Sequence, residues 1–266
     1  MIDLHTHVLP GLDDGARSTE DSLALARAAA AGGTTVLVAT PHVREDHPFD
    51  LGRIRPMVEE LNDCFRSELV PVAVAPGGEV AITRLIEAEP AELAQAQLGQ
   101  GPYILVESPY TTAGDLLEHA LFEAQLKGFR PILAHPERSP CFLDGFGRLA
   151  QLVERGILCS VTSGSMAGRF GGTVRDYTLC LFERGLVHNV ASDSHGALNR
   201  PPDLLTGFEN LEEGLPGIRA QAGWYTENVP AAVLAGTNIP GPPPGLIRRR
   251  KRRSNFGGVF RWNTRN

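Results

Sequence analysis

Short apolar runs alternate with helix-like stretches along most of this chain of 266 residues. Seven runs have the length and composition of buried parallel strands, and most are separated by stretches with apolar residues at helical spacing. The runs are residues 2–4, 35–39, 72–76, 103–106, 131–134, 158–162 and 187–191. About seven strand–helix units in a chain of this length predict an α/β fold with parallel strands arranged as a barrel.

A proline- and glycine-rich segment, Pro-Gly-Pro-Pro-Pro-Gly at 240–245, predicts where the folded domain ends. Proline removes a backbone donor and fixes φ, so neither a helix nor a strand continues through it. We therefore expect a single domain over residues 1–239, followed over 240–266 by a Pro/Gly linker and a disordered basic tail. The tail holds 8 of the 25 basic residues and no acidic residue, which suits contact with an anionic surface.

Charge and cysteine content argue against several classes of protein. Without the tail, the body carries a net charge of about −14, which argues against nucleic-acid binding and suits a site that collects divalent cations. No stretch reaches the roughly 18 consecutive apolar residues of a membrane helix, and no secretory signal is visible. Cys64, Cys141, Cys159 and Cys180 form no C-x-x-C pair, so we expect reduced thiols in a cytoplasmic protein.

Metal-ligating residue types follow six of the seven predicted strands. His5 and His7 come first, and their spacing of two places both imidazoles on one face of a strand. The later strands are followed by His42, Glu79, Glu107, His135, Asp193 and His195. One histidine at a strand end is more often structural than a ligand, so the joint pattern carries the argument. Because the carboxyl ends of barrel strands converge on one mouth, we expect these side chains to meet there.

The kinds of ligand narrow the choice of metal. Imidazoles and carboxylates without thiolates exclude a structural zinc-finger site. Mixed nitrogen and oxygen ligands suit Mn, Fe, Zn or Co better than Mg alone. Eight or more ligands are too many for one ion with an open position, so two or three ions that share a bridging glutamate fit better. Such a cluster activates water and clamps a phosphoryl group.

The motifs, taken in order, resemble those of the polymerase-and-histidinol-phosphatase (PHP) family of metallohydrolases. They are His-Thr-His at 5–7, Thr-Pro-His at 40–42, Gly-Gly-Glu at 77–79, a strand-ending glutamate at 107, Ala-His-Pro-Glu-Arg at 134–138 and Ala-Ser-Asp-Ser-His at 191–195. The segments 9–15, 161–171 and 199–202 are most similar to the bacterial protein-tyrosine phosphatase branch, which acts in capsule and exopolysaccharide synthesis. The resemblance runs from residue 1 to about residue 236.

The resemblance implies a distorted (β/α)7 TIM-like barrel with a trinuclear centre that usually holds Mn²⁺. By motif position, one ion would be held by His5, His7, Glu79 and Asp193. Glu79 would bridge to a second ion that Glu107 and His135 also bind. His42 and His195 would hold a third ion with an aspartate of the pair Asp13–Asp14, of which Asp14 is favoured. Fe, Zn, Co and Mg remain alternatives, as does a centre of two ions.

Two arginines match positions that contact the substrate phosphate in the family. They are Arg138, three residues after His135, and Arg200, five residues after His195. A guanidinium group binds phosphate oxygens in bidentate fashion, which suits this role. The alternative for each arginine is a surface salt bridge.

The function that the resemblance implies is hydrolysis of phosphotyrosine on proteins. A metal-activated hydroxide would attack phosphorus in line, and the expected protein substrate is a bacterial tyrosine autokinase. No cysteine has an arginine six positions later, which argues against the covalent route of thiol phosphatases. The alternatives are a PHP phosphoesterase on a small molecule such as histidinol phosphate and a PHP nuclease. A regulatory module without catalysis would normally lack ligands, and none of the expected ligands is missing here.

Overall fold

Parallel strands and helices alternate throughout the computed structural model, which describes residues 1–46, 48–142 and 145–246. The strands are β1 Ile2–Thr6, β2 Val36–Ala39, β3 His42–Val43, β4 Ala73–Pro76, β5 Glu79–Val80, β6 Tyr103–Glu107, β7 Arg130–Ala134, β8 Leu158–Thr162 and β9 Asn189–Ala191. The α-helices are α1 Thr19–Ala31, α2 Ile54–Ser67, α3 Ile82–Glu87, α4 Pro90–Leu93, α5 Gly114–Leu126, α6 Gly147–Glu154, α7 Ser163–Met166, α8 Gly172–Glu183, α9 Leu205–Glu212 and α10 Val229–Ala235. Each of the seven predicted apolar runs overlaps a strand, and the predicted parallel α/β class is confirmed.

Two sheets are formed by these strands, and all of their pairings are parallel. One sheet has the order β1-β2-β4 and the other has the order β3-β5-β6-β7-β8-β9. The sheets meet where β1 reaches the segment after β9, since the His7 N–H donates to the Ser194 carbonyl at 2.9 Å and the Asp193 N–H donates to the His5 carbonyl at 2.9 Å. Over the described ranges, strand pairing therefore yields two sheets in contact, where the sequence predicted one barrel.

Local breaks in two strands explain why the pairing is divided. Pro41 separates β2 from β3, and proline has no N–H to donate to a neighbouring strand. Gly77 and Gly78 separate β4 from β5, and a Cβ on Gly77 would lie 2.7 Å from Leu98 Cδ2. Only glycine allows so close an approach. Each break directly precedes a residue of the predicted site, because β3 begins at His42 and β5 begins at Glu79.

The core closes the amino ends of the strands and leaves their carboxyl ends to polar side chains. Val229 and Val233 of α10 pack in an apolar cluster with Leu4 of β1, Leu105 of β6 and Ile132 of β7. The Gln100 N–H, just before β6, donates to the carbonyl of Leu234 at 3.1 Å. A second and larger apolar cluster lies between the strands and the surrounding helices. The carboxyl ends are therefore the open end of the fold.

The chain after α10 runs along the surface of this domain. The indole N–H of Trp224 donates to the carbonyl of Gly241 at 2.8 Å, and the Gln221 side chain donates to the carbonyl of Pro244 at 2.9 Å. Residues 240–246 form neither helix nor strand, as the proline content predicted. The predicted basic tail from 248 onward lies outside the described residues. No helix within the described part of the chain has the length and apolar character needed to cross a membrane.

Candidate metal centre

His5 and His7 begin the site at the end of β1, and both rings are buried. Their Nε2 atoms lie 3.2 Å apart, in agreement with the spacing of two residues on a strand. Oδ1 of Asp193 lies 3.4 Å from each of these nitrogens. Two imidazole nitrogens and a carboxylate oxygen therefore point at the same place.

Glu79 lies at the middle of the cluster and is fully buried. Its Oε1 is 2.8 Å from Nε2 of His135, and its Oε2 is 2.9 Å from Nδ1 of His42 and 3.3 Å from Nε2 of His5. Burial would raise the pKa of this carboxyl group, but His5, His135 and His42 hold the pKa of Glu79 well below its usual value. Glu79 is thus an ionised carboxylate with a different set of imidazoles at each oxygen.

Asp13 and Asp14, which the sequence did not separate, occupy different places. Oδ2 of Asp13 lies 2.7 Å from Nδ1 of His7 and accepts the His42 N–H at 3.0 Å. Asp14 is more exposed, and its Oδ1 lies 3.2 Å from Nε2 of His195 and 3.5 Å from Nε2 of His42. Asp13 therefore contacts Nδ1 of His7, whereas Asp14 lies near the Nε2 atoms of His42 and His195.

The two histidines that share this part of the site have opposite pKa shifts. Burial would lower the pKa of His7, but hydrogen bonds with Asp13 and Asp193 raise it to about 10. Burial, with the charges of His7 and Arg200, lowers the pKa of His195 to about 3. Asp13 and Asp193 therefore favour a protonated ring at His7, whereas burial favours a neutral ring at His195.

Arg138 and Arg200, the predicted phosphate contacts, both reach Asp193. The Nη2 of Arg138 donates to Oδ2 of Asp193 at 2.6 Å, and Nη2 of Arg200 donates to the same oxygen. Arg138 is nearly buried, whereas about a third of the Arg200 side chain is exposed. The opposite oxygen of Asp193 faces His5 and His7, so one carboxylate connects the arginines to the imidazoles.

Backbone strain coincides with the site. Among the described residues, three that are not glycine have a positive φ, namely Leu69, His135 at 35° and Asp193 at 53°. The left-handed region is costly for residues with a Cβ and persists where the surrounding structure fixes it. At His135 the N–H donates to the carbonyl of Ser160 at 2.8 Å. The fold thus holds two of the predicted ligands in unfavourable backbone conformations.

Two further charged residues near the site were not identified from the sequence. Arg44 donates to Oε1 of Glu107 at 3.2 Å and also pairs with Asp46. Its position two residues after His42, which in an extended chain places both side chains on the same face, was the available signal. Burial, together with the nearby charge of Glu79, raises the pKa of Glu107.

The second of these charged residues is Glu137, which lies between His135 and Arg138 in the sequence. Its side chain is fully buried. Its Oε1 accepts the Thr162 N–H and hydroxyl, each at 3.0 Å, and the Ser165 hydroxyl at 2.7 Å. Glu137 thereby joins the segment that carries His135 and Arg138 to the end of β8. A charged residue inside the Ala-His-Pro-Glu-Arg motif was the only sign of it in the sequence.

Four groups of side chains could each hold an ion, because their ligand atoms lie within 4.8 Å of one another. The groups are His7, Asp14, His42 and His195; His5, His7 and Asp193; His5, Glu79 and His135; and His42, Glu79 and Glu107. All nine residues expected as ligands fall into these groups. The grouping differs from the expected division in several respects. His7 also joins Asp14, His42 and His195, and Glu79 is absent from the group of His5, His7 and Asp193. His135 is grouped with His5 and Glu79, whereas Glu107 lies with His42 and Glu79. Convergent imidazole nitrogens and carboxylate oxygens are a donor set that divalent transition metals prefer.

Parallel strands whose carboxyl ends carry clustered imidazoles and carboxylates are typical of metal-dependent hydrolases. Comparison with known proteins narrows this class. Residues 1–221 match the family described as "Capsular polysaccharide synthesis, CpsB/CapC". The chain therefore belongs to the CpsB/CapC family.

Two relatives place the chain within that family. It is 35% identical to the tyrosine-protein phosphatase YwqE of Bacillus subtilis over 260 residues, which cover 94% of this chain and 98% of YwqE. It is 27% identical to the tyrosine-protein phosphatase CpsB of Streptococcus pneumoniae, with 79% of this chain and 88% of CpsB covered.

Solved structures agree with the sequence matches. One solved structure, described with YwqE from Bacillus subtilis and CpsB from Streptococcus pneumoniae as metal-dependent tyrosine phosphatases, superimposes on this chain with a TM-score of 0.80 at 32% identity. The match covers 94% of this chain and 100% of that one. Dihydropyrimidinase from Brevibacillus agri superimposes with a TM-score of 0.52 at 14% identity, covering 88% of this chain and 70% of that one. The second likeness concerns the fold alone.

Proposed function

We propose that this chain is a metal-dependent protein-tyrosine phosphatase that acts in capsular or exopolysaccharide synthesis. The observation that carries the proposal is the buried cluster around Glu79, in a chain that matches YwqE over nearly its whole length. The donor set fits divalent metal ions because Nε2 of His5 and Nε2 of His7 face each other at 3.2 Å with Asp193 beside them.

The residues that would hold the ions are the nine that the four groups contain. They are His5, His7, Asp14, His42, Glu79, Glu107, His135, Asp193 and His195. Glu79 is the bridging ligand in this proposal, since its two oxygens face different imidazoles. Mn²⁺ is the proposed metal, in two or three ions, and Fe, Zn, Co and Mg are the alternatives. Bound ions would supply Lewis acidity that lowers the pKa of a water molecule and offsets phosphate charge.

Arg138 and Arg200 are proposed to bind the non-bridging oxygens of the phosphate. Both already converge on Oδ2 of Asp193, so their guanidinium groups are held at one place before a substrate arrives. Charge-assisted and bidentate hydrogen bonds are the strongest that these side chains make. They would stabilise the charge that spreads over the phosphoryl oxygens in the transition state.

The chain need not supply a dedicated acid for the leaving group. A phenol has a pKa of about 10, so phenolate leaves more readily than an alkoxide. The thiol route has no support at Cys159, because burial raises the pKa of this thiol far above its usual value. A site of this kind therefore suits phosphotyrosine better than an alkyl phosphate.

The proposed function is tested by turnover of a phosphotyrosine peptide. We expect activity that is lost after treatment with a chelator, restored by Mn²⁺, and insensitive to thiol reagents. Activity that survives full metal removal would contradict the proposal. Rates measured in parallel on histidinol phosphate and on single-stranded DNA separate the tyrosine phosphatase from the small-molecule phosphoesterase and the nuclease.

The remaining sequence-based expectations extend this proposal. The two sheets together would form the distorted (β/α)7 barrel of the PHP family, and residues 1–239 would be the catalytic domain. The protein substrate would be a bacterial tyrosine autokinase in the cytoplasm. The linker and basic tail at 240–266 would contact an anionic surface. Truncation at Pro240 should leave peptide turnover unchanged if the tail serves only that contact.

A further inference from the structure

Two partly exposed aromatic side chains lie beside the metal centre. Tyr110 is 55% exposed and Phe170 is 38% exposed, and we call this pair the aromatic rim. By contrast, the exposed apolar side chains Leu116, Phe122 and Leu126 belong to the outer helix α5. Aromatic surface at the open end of the fold, next to a polar cluster, needs an explanation of its own.

Tyr110 follows β6, three residues after Glu107. The centroids of the Tyr110 and His135 rings are 5.8 Å apart, with an angle of 23° between the ring planes. One side of this ring therefore faces the site, while the rest is open to solvent.

Phe170 lies in the loop after α7, far from Tyr110 in the sequence. The Cζ atom of Arg138 is 4.6 Å from the centroid of the Phe170 ring, a cation–π distance. The same guanidinium donates to Asp193 at 2.6 Å. The two rings therefore contact the segment 135–138 at two places, Tyr110 at His135 and Phe170 at Arg138.

We propose that the aromatic rim receives the ring of the substrate and selects aryl over alkyl phosphate monoesters. The inference rests on the proposed function, because it takes Arg138 as the group that holds the phosphate. The amino ends of the strands are closed by α10, so the group esterified to that phosphate must project toward the open end. There a phenyl ring contacts Tyr110 and Phe170, whereas the single methylene of phosphoserine is too short to do so.

Offset or edge contacts between aromatic rings give a modest and measurable preference. The usual range for one such contact corresponds to a factor of about 2 to 13 in affinity. Two contacts on the same ligand ring therefore give a selectivity on the order of tenfold or more. That preference would add to the better leaving ability of phenolate.

The experiment compares Tyr110→Leu and Phe170→Leu with the metal-loaded wild-type enzyme. The probes are phenylphosphonate and methylphosphonate as competitive inhibitors, together with KM and kcat for a phosphotyrosine peptide. We expect each leucine variant to weaken phenylphosphonate inhibition about fivefold and to raise KM by a similar factor. Methylphosphonate inhibition and kcat should change less than about twofold.

Three control variants accompany the test. Tyr110→Phe and Phe170→Tyr keep the rings and should retain wild-type selectivity. Phe122→Leu makes the same kind of substitution on the outer face of α5 and should change nothing. Thermal unfolding and metal content, measured for each variant, verify that the fold and the metal centre are intact.

Equal loss of both phosphonates in Phe170→Leu would overturn the inference for that residue, because Phe170 would then only position Arg138. Unchanged inhibition by both phosphonates in the two leucine variants would overturn it altogether. A metal-loaded wild-type protein that hydrolyses no phosphotyrosine peptide would defeat the proposed function instead. The two failures are therefore distinguishable.

Discussion

Asp13 and Asp14 are adjacent in the sequence, yet they contact different imidazole nitrogens. Asp13 approaches the Nδ1 atom of His7, and Asp14 approaches the Nε2 atoms of His42 and His195. A carboxylate behind a metal-binding histidine fixes its tautomer and orientation, and its loss typically costs about 10- to 100-fold in metal affinity or activity. The two aspartates therefore have different proposed roles, one as an orienting residue and one as a ligand.

Conservative substitutions at these positions should separate the roles. Asp13→Asn should weaken Mn²⁺ binding about 10- to 100-fold without changing the number of ions bound at saturation. Asp14→Asn should instead reduce the number of ions bound, because it removes the proposed ligand that Asp14 contributes to the group with His7, His42 and His195. Calorimetric titration with Mn²⁺ and metal analysis after dialysis measure both quantities. An equal loss of stoichiometry in the two variants would contradict the division of roles.

At the scale of elements, the connection that follows β7 helps to hold the site. Glu137 connects the segment after β7 to the end of β8 through three hydrogen bonds on one oxygen. That segment begins at His135, whose φ of 35° is unfavourable, and it ends at Arg138. Because the connection is buried, its removal leaves a backbone donor at Thr162 without a partner.

Glu137→Ala should therefore lower the free energy of unfolding by about 1–3 kcal/mol, the usual cost of an unsatisfied buried group. Glu137→Gln keeps an acceptor oxygen in place and should cost less. Ser165→Ala, which removes only one of the three bonds, is the matched control and should fall near 1 kcal/mol. Urea unfolding of the metal-free proteins gives these values. A Glu137→Ala variant as stable as the wild type would refute the structural role.

His188, just before β9, is a second element-scale contact and lies away from the metal centre. Its Nδ1 accepts the Cys159 N–H at 3.2 Å, and burial lowers the pKa of His188 to about 4. The unfolded chain, with an ordinary histidine pKa near 6.5, takes up a proton first as the pH falls. The stabilisation that the neutral His188 ring contributes is thus fully present above about pH 6.5 and is lost as the pH falls through about 4.

His188→Asn, which keeps an acceptor but does not titrate, should flatten this part of the pH dependence. Between pH 7 and pH 4, the free energy of unfolding of the wild type should fall by up to about 3 kcal/mol more than that of the variant. Solvent screening at the edge of the ring reduces this difference. Urea unfolding in EDTA at several pH values measures the difference and keeps metal release out of it. His119→Asn, at an exposed position on α5, is the control and should retain the wild-type slope.

Across the whole molecule, the sequence predicts features that depend on neighbouring residues. Seven of the nine described strands were predictable because each overlaps a short apolar run, whereas the two-residue strands β3 and β5 were not predicted. Eight of the nine expected ligands were identified as candidates because they follow such a run, and Asp14 came from the family resemblance. The division into two sheets was not, since it depends on breaks at Pro41 and at Gly77–Gly78 and on contacts between distant segments. The contact of Asp13 with His7 and those of Glu137 and Phe170 also escaped prediction, because these partners are separated in the sequence and become neighbours only in the fold.

The negative charge of the whole molecule leads to a prediction about how bound metal ions change its thermal stability. In the metal-free protein Glu79 and Asp193 are ionised carboxylates within a strongly acidic body. Ions that bind only the folded state stabilise it by about 2.7 kcal/mol per site at a free concentration 100 times the Kd. Addition of Mn²⁺ to the chelated protein should therefore raise the melting temperature in a concentration-dependent manner. A melting temperature that does not respond to Mn²⁺ would contradict a metal centre formed by these residues.

The seal that α10 forms across the amino ends of the strands has a consequence for the order of events in turnover. In the proposed function, substrate would enter, and both products would leave, through the same opening. The tyrosine side chain would lie nearer that opening, so the dephosphorylated protein would depart first and inorganic phosphate, held by Arg138 and Arg200 in this proposal, would depart last. We therefore expect inorganic phosphate to compete directly with substrate, so that the cellular phosphate concentration raises the apparent KM and leaves kcat unchanged.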